Sequence, residues 1–339
     1  MAARDIAVAT AKVAAEVFAS SRAMERVEQD GYTRIDPFRI AAGEGVSVLL
    51  RPMDKLLGAF LREERPGILV NSARSAGLIH MTCAHELGHY FMGHQSAMDE
   101  TIDYGGKAEV MEQEAETFGY HLLVPKSLLS IICKRKGWNR KSLTNPHVLY
   151  QMSLRLGISY TAAAWSLVRH NVLTYDVVQG LLKVSPASIK QSLLQGQLPD
   201  ATKDVWLFDE TDQSSVLEPR PEDHLVVRLQ SHASAGYLWR AESVEQVAEQ
   251  GFTLAPLPSA RSLDPQSVVF GADSTLDYVL SAQEVDAEGP QTVTLCESRP
   301  WMGRQAGDAS FHSKAHFEPI AEGLTRESKH ALIQEVVGS

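Results

Sequence analysis

The sequence predicts an α+β protein in two parts: a largely helical part with a small sheet over residues 1–195, then an antiparallel β-sandwich over residues 196–325, with 326–339 as a tail. Three observations point there. Up to about residue 190 apolar residues recur mostly at helical spacing. Near residue 195 the polar stretch "QGQLPDATKD" ends that pattern. Beyond it come short β-rich runs separated by Gly, Pro, Asp and Ser, the look of a sandwich.

The first element is the run "MAARDIAVATAKVAAEVFASSRAMERV". Asp5, Lys12 and Glu16 interrupt any signal-peptide core, and the apolar spacing predicts an amphipathic helix. "VSVLLRP", "LGAFLRE" and "GILVNS" are short apolar runs bounded by Gly, Pro or charge and predict a small sheet. Residues 75–94 predict a helix, and "AEVMEQEAETFGYHLLVP" predicts a second, with Pro125 just beyond its end. In "PHVLYQMSLRLGISYTAAAWSLVRHNVL", Gly157 breaks the pattern and Ser159 caps a new helix, a helix–turn–helix shape. Its second helix offers mainly Ala, Trp and Leu, which suits packing rather than the reading of DNA. The expected strands of the second part are "DVWLF", "HLVVRLQ", "YLWRAES", "SVVFGA", "LDYVLSA", "QTVTLCES" and "AHFEPIA". The last residues, "TRESKHALIQEVVGS", read as a short helix or a loose tail.

Composition narrows the function classes. A chain of 339 residues with 44% hydrophobic residues has room for two domains with real cores. A formal net charge of −10 gives no overall sign of nucleic-acid binding. The dense basic stretch "CKRKGWNRK", Cys133 to Lys141, reads as a solvated helix end and loop. Cys83, Cys133 and Cys296 are an odd set without a CxxC, which argues against a disulfide framework and a cysteine zinc cage and fits a reducing cytoplasm. No apolar run is long enough to span a bilayer.

The chemistry concentrates in "TCAHELGHYFMGH", residues 82–94. Residues four apart on a helix share a face, so His85 and His89 can direct two imidazoles at one zinc ion. Glu86 is about 100° around the helix from His85. That places it to accept a proton from a water on the metal rather than to bind the metal. Gly88 permits close approach of another segment. A third ligand must come from elsewhere, since His94 falls one position early for the pattern HExxHxxGxxH. "MEQEAETFGYHLLVP" offers Glu112, Glu114 and Glu116. Glu112 and Glu116 share a face with the small residues Ala115 and Gly119. Glu112 is the preferred ligand, with Glu116 as a supporting group or the fallback ligand. Glu114 is turned about 200° from Glu112, which suits a solvated face. Cys83 lies on a different face and reads as a buried thiol, and His80 and His121 read as packing or surface histidines.

The order "RIDPFRIAA", "GILVNS", "CAHELGHYFMGH", "EQEAETFGYHLLVP" resembles the ImmA/IrrE family of zinc metallopeptidases, over about residues 30–185. The resemblance implies a zincin-like fold with His85, His89 and Glu112 as zinc ligands and Glu86 as the base. It also implies cleavage of helix-turn-helix repressors, relieving repression in mobile elements, phage defence or DNA-damage responses. Two positions depart from the family. Glu116 stands where Asn is usual, adding a negative charge beside the site, and Gly119 stands where Ala is usual, a structurally mild change.

In the second part, Gly236, Tyr237 and Trp239 of "HASAGYLWR", and later Arg299, Pro300 and Trp301 of "ESRPWMG", resemble two loop motifs of the chagasin family. Those are Ig-like sandwiches that block papain-like cysteine proteases. The resemblance spans about residues 220–320 and implies an Ig-like fold. The Asn, Pro and both Thr of the family's first loop are missing, and the middle loop is reduced to "FGADST". A recognition or sensing module is therefore expected rather than an inhibitor. Together these readings predict a cytoplasmic zinc endopeptidase acting on a regulatory protein, a co-encoded repressor, with no membrane partner and nucleic acid entering only as an activating signal. The rival reading is a non-catalytic binding or sensor protein acting through the sandwich.

Overall fold

Three short apolar runs between Ser47 and Asn71 build the centre of the first sheet. A computed structural model describes residues 3–95, 97–99, 110–196, 200–241, 252–257, 274–282, 288–302, 305 and 308–338. The chain begins with helices α1 (Ala3–Ser20), α2 (Ala23–Glu28) and α3 (Pro37–Gly43). Strands β1 (Ser47–Arg51), β2 (Gly58–Leu61) and β3 (Gly67–Asn71) follow, then α4 (Ala76–Phe91), β4 (Ala97–Asp99) and α5 (Val110–Leu123). Helices α6 (Lys126–Lys136), α7 (Pro146–Leu156), α8 (Tyr160–Arg169), α9 (Tyr175–Leu181) and α10 (Pro186–Leu193) complete the first half. The second half holds β5 (Val205–Phe208), β6 (Val216–Leu217), β7 (His224–Ser231), β8 (Leu238–Ala241) and β9 (Phe252–Pro256). It ends with β10 (Ser274–Ala282), β11 (Gln291–Ser298), β12 (Ser310–Ala315), β13 (Gly323–Leu324) and α11 (Arg326–Gly338).

The chain divides into two compact units, neither continuous in sequence. The first holds residues 1–133, 152–179 and 320–339; the second holds 134–151 and 180–319. The expected boundary at residue 195 and the expected tail at 326–339 do not follow this division.

In the first unit the sheet order is β13-β1-β3-β2-β4, with β1 and β3 parallel and β2 antiparallel to β3. Helix α1 is amphipathic as expected: Thr10, Ala14 and Val17 are buried on one face, and the helix packs on α5. The Asp-Pro pair starts α3, where the Asp36 carboxylate accepts from the amides of Phe38 and Arg39 and Pro37 occupies the first helical position. Helix α4 packs against β2, β3, α3 and α5. Ser159 caps α8 by accepting from Ala162 N, and α8 buries Ala162, Ala163, Ala164 and Leu167, the packing expected of it. His80 pins α4 to the turn before α8. Arg34 Nη1 donates to His80 Nε2 at 3.0 Å, and His80 Nδ1 is 3.0 Å from the Gly157 carbonyl.

The residues expected as a short helix or a loose tail form helix α11. Leu324 registers with Leu49 of β1, Thr325 N donates to Val48 O, and Val48 N donates to Ser328 Oγ at 2.9 Å. Thr325 and Ser328 are buried.

Among the described residues the second unit has two four-stranded sheets, β5-β7-β10-β9 and β6-β12-β11-β8. Both are mixed rather than purely antiparallel, because β5 runs parallel to β7 and β6 parallel to β12. Strands β6 and β9 were not expected from the sequence, "AHFEPIA" contributes only Ala315 to a strand, and "SVVFGA" lies outside the described residues. The free edge of β5 is covered by side chains of α7: Gln151 accepts from Leu207 N and donates to Val205 O, and Tyr150 Oη accepts from Val205 N. Lys136, buried, bridges Asp209 and Asp212 at 2.7 and 2.8 Å. Among the described residues no helix is long and apolar enough to cross a membrane.

Candidate metal centre

Small residues let α4 and α5 approach closely. A Cβ on Gly88 would lie 2.8 Å from Ala115 Cα and 3.0 Å from Ala115 O, so this contact requires glycine. Gly119 faces Met81 and the backbone of Ala84 and His85 at 3.4 Å or more. The expected role of Gly88, Ala115 and Gly119 as the contact between two helices is met.

At this crossing His85, His89 and Glu112 converge. His85 Nε2 and His89 Nε2 are 3.2 Å apart. Glu112 Oε2 is 3.3 Å from His85 Nε2, and Glu112 Oε1 is 3.6 Å from His89 Nε2. A tetrahedral site with bonds of about 2.0–2.1 Å has ligand–ligand edges of about 3.3 Å. The triangle therefore fits one divalent cation, and its two imidazoles and carboxylate are the donor chemistry of a zinc site with an open position. Both histidines are buried, while the Glu112 side chain is 29% exposed, so the site opens on the Glu112 side.

Glu86 is fully buried, with its carboxylate against β2. A Cβ on Gly58 would overlap Glu86 Oε1 and Thr82 Cγ2. Cys83 is not part of the cluster; burial first, then the nearby charges of Asp36, Glu86 and Glu327, push its thiol well up, which keeps it protonated. The fallback ligand Glu116 is turned elsewhere: its Oε1 is 3.2 Å from Arg169 Nη2, whose guanidinium stacks on Tyr120. His121 is half-buried, and burial lowers its pKa.

Two residues that sequence reasoning placed outside the site stand beside it. Gly93 takes φ +75°, the left-handed conformation that ends a helix. Gly93 N then bonds to Tyr90 O and His94 N to His89 O, the Schellman pattern. This folds His94 back so that its Nδ1 lies 3.0 Å from His89 Nδ1. His94 Nε2 is 3.0 Å from Glu114 Oε2. Glu114 is thus not on a solvated face, and its side chain is only 14% exposed. Burial lowers the His94 pKa, and the hydrogen bond to Glu114 opposes that shift. Arg62 fixes the turn from outside, donating to His94 O at 2.6 Å and to Tyr90 O at 2.8 Å. The sequence signal was the Gly-His pair right after the helix.

Residues 41–165 match the model of the IrrE N-terminal-like domain, a peptidase M78 family. The match agrees with the resemblance expected over about residues 30–185 and marks this IrrE-like region as a zincin-like metallopeptidase type. It includes all of α4 and α5, and so His85, Glu86, His89 and Glu112. No curated protein sequence matches the chain. On the C-terminal side, solved structures similar to this chain include the cysteine protease inhibitor EhICP2 from Entamoeba histolytica, at 20% identity over 34% of this chain and 97% of that one, with a TM-score of 0.25. Amebosin is another, at 16% identity over 34% of this chain and 98% of that one, with a TM-score of 0.26.

The expected loop residues of the second unit divide into two kinds. Trp239 is a core aromatic, 7% exposed, with Nε1 donating to Gln230 O. Gly236 (φ +84°), Tyr237, Arg299 and Trp301 gather at a loop pair: the Arg299 guanidinium lies 4.6 Å from the Tyr237 ring centre, and Trp301 covers Gly236 so closely that a Cβ there would lie 2.6 Å from its ring. Pro300 is exposed, as are Met302 and Trp301, the last at 71%. His232 Nδ1 meets Glu297 Oε2 at 2.6 Å and ties the first loop to β11.

Proposed function

We propose that this chain is a cytoplasmic zinc endopeptidase that cleaves a regulatory protein, a helix-turn-helix repressor encoded beside it. The observation that carries this reading is the 3.2–3.6 Å triangle of His85 Nε2, His89 Nε2 and the Glu112 carboxylate. His85, His89 and Glu112 hold the ion; when bound, zinc polarises a carbonyl and acidifies water. Glu86 is the base: its buried carboxylate, packed against Gly58 of β2, takes a proton from the attacking water and returns it to the leaving amine nitrogen. Burial of His85, Glu86 and His89 keeps bulk solvent from screening these charges. In this reading the first unit, residues 1–133, 152–179 and 320–339, is the zincin-like catalytic unit. The second unit, residues 134–151 and 180–319, is an Ig-like recognition or sensor unit, with Gly236, Tyr237, Arg299, Pro300 and Trp301 at its partner loops and Trp239 in the core behind them, and nucleic acid serves as an activating signal.

The test is cleavage of the neighbouring repressor by the purified, zinc-loaded full chain. Glu86→Gln is expected to keep the metal and lose about 10²–10⁴-fold in rate. Cleavage at the wild-type rate by Glu86→Gln, or a wild-type chain that takes up no zinc, overturns the reading. Exposed Trp301, Met302 and Leu238 favour a second reading, a binding or sensor protein whose metal site is silent. It expects bound zinc, no proteolysis, and partner binding by the full chain that Trp301→Ala abolishes.

A further inference from the structure

We propose that His94 and Glu114 are positioning residues that set the tautomer and orientation of the metal ligand His89. The inference rests on the metal-centre reading above and extends it to two residues outside the ligand set. The hydrogen-bond directions follow from the atoms. His89 presents Nε2 to the cluster, so when that nitrogen gives its lone pair to a cation the neutral ring carries its proton on Nδ1. That proton has an acceptor in His94 Nδ1 at 3.0 Å. An accepting Nδ1 leaves the His94 proton on Nε2, where Glu114 Oε2 accepts it at 3.0 Å. Carboxylate, imidazole and imidazole thus form one chain with a single consistent assignment of protons. Its far end is a ligand nitrogen whose lone pair faces His85 and Glu112.

The chain is rigid because the backbone is held at both ends. The left-handed turn at Gly93 sets the direction of His94, and Arg62, reaching over from the end of β2, clamps the His94 and Tyr90 carbonyls. Glu114 lies on α5, two residues after Glu112. One helix turn therefore supplies both a direct ligand and the anchor of an indirect one. Without the chain, His89 could rotate or adopt the other tautomer, and Nε2 would then carry a proton where the ion needs a lone pair.

The experiment measures zinc affinity of the full chain by competition with a chromophoric chelator, alongside the visible spectrum of the cobalt-substituted protein. His94→Phe, which keeps ring volume but no nitrogen, and Glu114→Leu are each expected to weaken zinc about 10–100-fold and to alter the cobalt spectrum. Glu114→Gln, which keeps an acceptor oxygen, is expected to lose less than Glu114→Leu. The double variant His94→Phe/Glu114→Leu is expected to be no weaker than the weaker single, because the two act in series. Wild-type affinity in His94→Phe and Glu114→Leu, or losses that multiply in the double variant, overturns the proposal. If His94→Phe fails to fold, the order of Glu114→Leu below Glu114→Gln carries the same decision. A wild-type chain without zinc affinity would instead fail the metal-centre reading itself, and is told apart by the first titration.

Discussion

The helix pair α4–α5 and the loop pair 232–237 and 299–301 each bring together residues distant in sequence, by opposite means. In the helix pair every chemically interesting side chain is gripped. Gly88 seats on Ala115, Gly58 on Glu86, and His94 on Glu114. In the loop pair the contacts are a ring on a glycine and a guanidinium near a ring, with Trp301 left 71% exposed. Bond-making chemistry needs groups held to a fraction of an ångström, which a close-packed interface provides. A surface that meets a partner can complete its packing in the complex, so its aromatic residues can stand in solvent beforehand. The contrast is the one that the proposed catalytic role of the first region and the proposed binding role of the second require.

The comparison can be broken at four residues. Trp239→Ala carries the largest expected stability effect, about 3–5 kcal/mol, because this tryptophan belongs to the core and not to the exposed loops. A loss in urea unfolding no larger than that of Trp301→Ala would put Trp239 among the loop residues. Next is Gly88→Ala, where the new methyl meets backbone at Ala115; a loss of about 1–3 kcal/mol and weaker zinc binding are expected together. Unchanged stability would show that α4 and α5 can separate freely. Gly119→Ala should do the reverse, since its nearest neighbours are already at van der Waals distance; a gain of up to about 1 kcal/mol is expected from helix propensity, read in the same unfolding curves. Smallest is Trp301→Ala, expected to move stability by no more than about 0.5 kcal/mol while lowering affinity for a bound partner. A large stability loss there would make Trp301 a structural residue.

Much of the helical site was legible because its signals are local. The spacing of His85 and His89 puts both on one helix face whatever surrounds them, and the face shared by Glu112, Ala115 and Gly119 pointed to the contact between helices. Glu114 was misjudged by the same reasoning. Its rotation from Glu112 is real, but the partner that occupies that side is His94, brought there by a turn after the helix. Helical periodicity says nothing about a residue beyond the helix end. In the second unit the strand positions were mostly visible, yet their directions were not. Strands β5 and β6 are short and buried along nearly their whole length, and so short a buried run does not reveal which way its neighbour points, so these parallel edges left no mark in the sequence.

By itself the sequence determined the identity of the candidate ligands, the helices that carry them and the strands near them, because these depend on spacing and on neighbours within a few residues. Only the tertiary structure decided which glutamate faces the histidines, that His94 and Glu114 stand behind them, and that Gly323 and Leu324 return to pair with β1. Each of these depends on contacts between segments separated by many residues. Such contacts are selected by the packing of the whole unit, which no local pattern encodes.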